Sequence, residues 1–456
     1  MTTTRLARRQ FVDFRADGSR LPHMPGLDGL RGLAVAGVVL FHADLGIMTG
    51  GFLGVSTFFT LSGFLITSLL LSETMQTGHV GLRAFWGRRY RRLLPASLVT
   101  LFTVSTLFAW FIATPGQLDS LRNQVWASVA QVANWQLILS GSSYGDLFAA
   151  PSPVLHFWSL AIEEQFYVVF PVLLVGLWSV TRRRTALLGA VLAGLALLSA
   201  SLPLLFTMSR DRVYFGTDTR SAEVLVGAVL AVVLHHRGLR SALARPSAAR
   251  SALSVAALCI AAVQLYWWVT LEQSSSFLYS GGLALYGVMT CVVVLAATLP
   301  GGPVRDALVN RPLAWLGARS YGIYLIHWPV FLAVRQTWTS ASAWVLAVVG
   351  IALSLALAEL SYRFIEQPIR LRKSPVERRF GRAALASMAI VAVVAAFLPT
   401  DTADPKGALD FERAQSDTKA LLEEKARARA EAPTTTAAPA QVPNPSCRSS
   451  VTRRVC

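Results

Sequence analysis

The chain has 456 residues, 54% of them hydrophobic and 15% charged, where a soluble domain carries roughly 25% charged residues. Mean hydropathy is +0.49. These values exclude a disordered chain, a collagen and a disulfide scaffold, and they weigh against a soluble multidomain enzyme. Lys plus Arg number 42 and Asp plus Glu 25, a net charge of +17. The basic residues cluster between apolar blocks, so the excess is read as membrane topology and not as nucleic-acid binding.

The apolar blocks run to about 18–22 residues, the length that crosses a bilayer core as a helix. Eleven spans are expected, at roughly 29–45, 52–72, 93–113, 154–178, 185–206, 221–236, 251–271, 280–298, 321–338, 343–364 and 384–398. The polar, Arg-rich start is followed by no cleavage-site pattern, so the first span is expected to be retained. The segment 125–139 holds Gln131, Asn134 and Gln136. It reads as a helix lying on the outer face or re-entering. About 26 basic residues fall in the N-terminal segment and the even-numbered loops, against about 4 in the others. The N-terminus is therefore expected in the cytoplasm and the C-terminus outside. Residues 401–446 have linker composition. Cys447 and Cys456 would then meet an oxidising compartment, where they pair with each other or remain free. Cys259 and Cys291 read as packing residues, and no cysteine pair has metal-site spacing.

Ionisable residues inside spans are costly unless they face a cavity or a partner. Arg31 and His42 lie eleven residues apart on the first span. That is three turns and one face, about 16 Å along the axis. His42, near the outer end, suits acid–base work at neutral pH; a core histidine bonded to a carbonyl is the alternative. Asp44 falls at the water interface. Ser62, in a run of small residues, is read as packing. Arg88, Arg89 and Arg92 form a dense basic run in Phe85–Pro95. Paired guanidiniums there suit phosphate, and equally a positive-inside anchor or lipid headgroups. Glu163 and Glu164 sit about two turns inside the fourth span. They point about 100° apart, so at least one lines a cavity or joins an ion pair. Asp218, Arg220 and Glu223 open the sixth span. Tyr324 and His327 lie on the ninth, where packing and chemistry are both open for His327.

In order along residues 25–370, these segments resemble the acyltransferase-3 family of integral membrane O-acyltransferases. The Arg31-to-His42 spacing is similar to that family's Arg-x10-His motif. Leu61–Thr67, the Arg run ending at Arg92, Trp158 to Tyr167 with Glu163 and Glu164, and Tyr324 to Pro329 also fit. One position departs: the family's Gly-Val-Asp is here Gly54-Val55-Ser56. The eleventh span and tail resemble the subgroup that carries a C-terminal SGNH-type domain, but no Gly-Asp-Ser block follows in this sequence.

The resemblance implies an all-α membrane bundle of about ten core spans plus an eleventh. Its expected parts are a cytoplasmic segment 1–24, an acyltransferase domain 25–370, a linker 371–383, a last span 384–398 and an exported tail 399–456. It implies acyl-CoA as donor, with no metal, and a hydroxyl of an extracytoplasmic glycan or glycolipid as acceptor. Arg31, Arg88, Arg89 and Arg92 are assigned to the donor, and His42 to the general base, oriented by Glu163 or Glu164. Asp218, Arg220, Tyr324 and His327 are assigned to the acceptor. An acyl-His42 intermediate is a second route. A secondary transporter and a non-catalytic scaffold are the alternative classes; no internal repeat of the kind many transporters carry is visible.

Overall fold

In the computed structural model the described residues are 23–113, 115–140, 152–235, 243–370 and 380–398. The N-terminal segment 1–22, the stretch 371–379 and the tail from 399, with Cys447 and Cys456, lie outside them. Among the described residues all regular structure is helical.

The helices in chain order are α1 (Pro25–His42), α2 (Leu53–Thr77), α3 (Leu82–Phe111, through a π turn), α4 (Pro115–Val129), α5 (Ala133–Leu139), α6 (Phe157–Val180), α7 (Thr185–Leu205) and α8 (Arg210–Phe215). They continue with α9 (Thr217–His235), α10 (Ala248–Thr270), α11 (Leu283–Thr298), α12 (Pro303–Leu308), α13 (Arg311–Thr337), α14 (Ala343–Arg370, through a π turn) and α15 (Phe380–Ala396). The expected helix over 125–139 is interrupted: Gln131 adopts φ 58° and separates α4 from α5. The expected first span is cut at His42, and Asp44, exposed, turns the chain with φ 57°.

Among the described residues, seven helical stretches can cross a membrane by length and composition: α2, α3, α6, α7, α10, residues 278–298 and α14. Three further helices, α1, α9 and α13, are 18, 19 and 27 residues long and carry ionisable residues along their length. The packing sorts these two kinds. The polar helices lie inside, α9 against α2 and α1 against α13. Of the apolar helices, α7, α10 and α14 stay largely unburied and turn residues such as Leu197, Tyr266 and Val348 outward. Apolar side chains outside and polar ones inside is the arrangement a hydrocarbon solvent imposes. The protein is an all-α membrane bundle.

Two interfaces need glycine for close approach. A Cβ on Gly63 of α2 would lie 1.8 Å from the Val224 carbonyl of α9, and one on Gly227 of α9 would lie 2.1 Å from the Thr60 carbonyl of α2. Likewise a Cβ on Gly317 of α13 would lie 1.9 Å from the Asp28 carbonyl of α1. Backbones this close hold α1, α2, α9 and α13 in one register.

Prolines inside helices leave the carbonyl four residues earlier without its usual donor. Pro171 of α6 frees the Tyr167 carbonyl, which accepts from Trp86 Nε1 at 3.0 Å. Pro329 of α13 frees the Leu325 carbonyl, which accepts from His156 Nε2 at 3.0 Å. Side chains from α3 and from the loop before α6 are thereby tied to the bundle centre.

Candidate active site

Two cavities that share lining residues hold most of the expected site residues. The larger, about 700 Å³, is lined by Arg31 of α1, Arg89 and Arg92 of α3, Glu163 and Tyr167 of α6, and Ser320 and Tyr324 of α13, with Ser62 of α2. Arg31 donates to Ser320 Oγ at 3.0 Å. The Arg89 guanidinium lies 3.7 Å over the Tyr167 ring, and its Nε is buried without a partner. Among the described residues Arg92 has no hydrogen-bond or ion-pair partner. Glu163 accepts from Ser62 Oγ at 3.2 Å and from the Tyr167 hydroxyl at 2.6 Å. Three guanidiniums thus line the cavity with Glu163, and the buried Glu164 and Glu366 lie within electrostatic reach of Arg89 and Arg92 respectively; the arginine forks suit an anion that competes for them.

The second cavity, about 340 Å³, is lined by His42, Phe52, Val55, Leu155, His156, Trp158, Tyr214, Tyr324 and Trp328. Val55 and Tyr324 line both cavities. The Tyr324 hydroxyl bonds to Ser159 Oγ at 2.6 Å and to the His156 carbonyl at 3.3 Å. Tyr324 and Ser159 therefore form the wall between the arginines and the histidines. Arg31 and His42, on one face of α1, fall on either side of it.

Backbone carbonyls assign the tautomers in the smaller cavity. His327 Nδ1 lies 2.7 Å from the Tyr324 carbonyl and 3.1 Å from that of Ile323. A carbonyl only accepts, so His327 carries its proton on Nδ1 and a lone pair on Nε2. That lone pair lies 3.2 Å from His42 Nδ1, which also lies 3.0 Å from the Val38 carbonyl. Both neighbours are acceptors, so His42 carries its proton on Nδ1. Its Nε2 lone pair is left for the cavity. Arg335 donates to the His42 carbonyl at 2.7 Å and holds the end of α1.

The structure groups some expected site residues and separates others. Arg31, Arg89 and Arg92 share the large cavity. Arg88 turns away, 3.7 Å from Glu73 with a side chain 44% exposed. Glu163 lies with the arginines, and Glu164 is buried on the same helix. Among the described residues neither carboxylate bonds to His42, whose imidazole partner is His327. Asp218 makes a bidentate pair with Arg212 at 2.8 and 2.7 Å, which holds the Arg212 guanidinium above its ordinary range. Arg220 is buried. It pairs with Glu223 at 2.6 Å, donates to Ser56 Oγ at 3.0 Å, and has the Phe59, Trp158 and Tyr214 rings 5.1–5.6 Å from its guanidinium carbon. Ser56 stands where the resemblance expects Asp, and Glu223, one turn along α9, supplies the carboxylate for Arg220. Sequence reasoning missed His156, Ser159, Tyr167 and Ser320. Ser159 and Tyr167 lie within the Trp158-to-Tyr167 motif, which could have flagged them, and Pro329, whose missing N–H calls for a donor at Leu325, could have flagged His156.

An arginine-lined cavity and a histidine-lined cavity thus lie on either side of Tyr324 in a membrane helical bundle. The acyltransferase-domain family matches residues 24–363, and the chain belongs to that family. YrhL of Bacillus subtilis (strain 168) is 39% identical over 358 residues, 76% of this chain and 55% of that protein. A Listeria monocytogenes protein named peptidoglycan O-acetyltransferase OatA is 37% identical over 353 residues, 76% of this chain and 56% of its own length. The chain thus spans little more than half the length of these relatives. No solved structure gives a significant match.

Proposed function

We propose that the protein is a membrane O-acyltransferase. In this reading it moves an acetyl group from acetyl-CoA at the arginine cavity to a hydroxyl of a cell-wall glycan at the histidine cavity. The observation that carries the proposal is the shared wall: one tyrosine, Tyr324, separates an anion site from an imidazole whose Nε2 lone pair is free. The named activity of the Listeria relative supports acetyl as the acyl group and peptidoglycan as the acceptor. The positive-inside pattern supports a cytoplasmic arginine end and an outward histidine end.

Arg31, Arg89 and Arg92 hold the phosphates of the donor, and the pantetheine arm runs toward Tyr324. The acceptor hydroxyl lies against His42 Nε2. Its proton passes to that nitrogen as its oxygen attacks the thioester carbonyl carbon. The C–S bond then breaks, and the CoA thiolate takes the proton from the imidazolium. The products are an O-acetyl ester and free CoA. As His42 becomes an imidazolium, its Nδ1–H bond to His327 Nε2 strengthens, as a hydrogen bond from a charged donor does. His327 thus takes the orienting role first assigned to Glu163 or Glu164, and is a positioning residue. Glu163, through Ser62 and Tyr167, sets the charge of the donor cavity.

The test is a titration of acetyl-CoA into purified protein, wild type and His42→Ala, with both binding and thiol release followed. A general base contributes roughly 10²–10⁴ in rate, so the variant should bind acetyl-CoA as the wild type does and release almost no thiol. Normal release from a normally expressed variant would sink the assignment of His42.

A further inference from the structure

His156 lies beside this machinery and has no part in the reaction as described. It precedes α6, is 3% exposed, and lines the same cavity as His42. Its ring centroid is 5.7 Å from that of His327. Pro329 has no N–H for the Leu325 carbonyl, so that carbonyl takes its hydrogen bond from His156 Nε2. The proton is therefore on Nε2, and Nδ1 is a lone pair. This Nδ1 is fully buried and has no partner. A buried acceptor without a donor costs roughly 1–3 kcal/mol, which a well-packed core normally avoids. Here it belongs to a residue that lines the smaller cavity, and the other imidazole lone pair left open there is His42 Nε2.

We propose that His156 Nδ1 is a recognition point for the acceptor. It accepts a hydrogen bond from a second donor, a hydroxyl or amide N–H, on the sugar whose reacting hydroxyl meets His42. The inference rests on the reading that this cavity takes the acceptor. Two fixed lone pairs in one cavity select a ligand with two donors, as sugars have, over a simple alcohol or water. A sugar lacking the second donor would leave Nδ1 unpaired, and sites of this kind discriminate strongly against such analogues.

Two amide substitutions separate the two nitrogens. In His156→Gln the amide N–H reaches the position of Nε2 and keeps the Leu325 bond, but the Nδ1 lone pair is gone. In His156→Asn the amide oxygen takes the position of Nδ1, and the Leu325 bond is lost. The probe is a set of de-O-acetylated muramyl oligosaccharides released from peptidoglycan, bound at equilibrium to the full chain in nanodiscs without acetyl-CoA. The expected result is a three- to tenfold weaker glycan Kd in His156→Gln, with the acetyl-CoA Kd unchanged and His156→Asn closer to wild type for the glycan. An unchanged glycan Kd in His156→Gln overturns the proposal, as does equal weakening of glycan and acetyl-CoA in both variants, which marks a packing residue. Absence of glycan binding by the wild type overturns it too. Equilibrium binding needs no proton transfer, so normal turnover in His42→Ala would remove the base and leave this result standing.

Discussion

Replacing His327 by leucine removes the acceptor behind His42 while filling nearly the same space. His327 is fully buried, and its own Nδ1–H bonds go to helix carbonyls, so the fold should survive. In the resting enzyme the loss is one neutral contact at 3.2 Å. In the transition state His42 is an imidazolium, and a hydrogen bond to a charged group contributes about 1.5–3 kcal/mol, roughly 10- to 150-fold in rate. The Val38 carbonyl still accepts from His42 Nδ1 at 3.0 Å, which places the expected loss near the lower end, roughly 10- to 30-fold in kcat. His327→Gln, whose amide oxygen can accept in place of Nε2, should lose less. The assay is steady-state acetyl transfer, with acetyl-CoA affinity measured separately and expected to be unchanged. A full kcat in His327→Leu together with an abolished kcat in Glu163→Gln would return the orienting role to a carboxylate.

Two further outcomes follow from the geometry. Arg92→Ala should weaken acetyl-CoA binding at least tenfold, since a charge-assisted contact is worth about 1.5–3 kcal/mol, whereas Arg88→Ala, facing Glu73, should stay within about twofold of wild type; calorimetric titration in detergent decides. Glu223→Gln should lower the unfolding temperature steeply, because breaking a buried ion pair costs about 3–5 kcal/mol, and should leave acetyl-CoA affinity per folded molecule intact. A wild-type melting curve with weakened acceptor binding would instead support Arg220 as an acceptor-binding residue.

Hydropathy made the bundle legible, because a helix crossing hydrocarbon must be apolar for about 20 residues. Its polar centre was legible for the same reason: charges in α1, α6, α9 and α13 stand out where charges are expensive. What hydropathy could not convey was which polar residue meets which. Glu163 and His42 are both inside the bundle, but helix packing sets Glu163 against Ser62 and Tyr167, beyond the Tyr324 wall. A single residue step of about 100° turns Arg88 to Glu73 and Arg89 to Tyr167, and adjacent residues of like charge look the same in a sequence. The Arg220–Glu223 pair was in principle readable, since residues three apart share a helix face. Ser56 then makes sense as a position relieved of its carboxylate. His156 was hidden because its role depends on a proline 173 residues away in the chain, whose missing N–H matters only once α13 is packed beside it.

In the proposed mechanism donor and acceptor enter from opposite ends and meet at Tyr324. Proteoliposomes loaded with de-O-acetylated muramyl oligosaccharide, given radiolabelled acetyl-CoA only on the outside, test it directly. Labelled glycan is expected inside the vesicles with wild type and none with His42→Ala. Labelled glycan formed only when donor and acceptor share a compartment would contradict it.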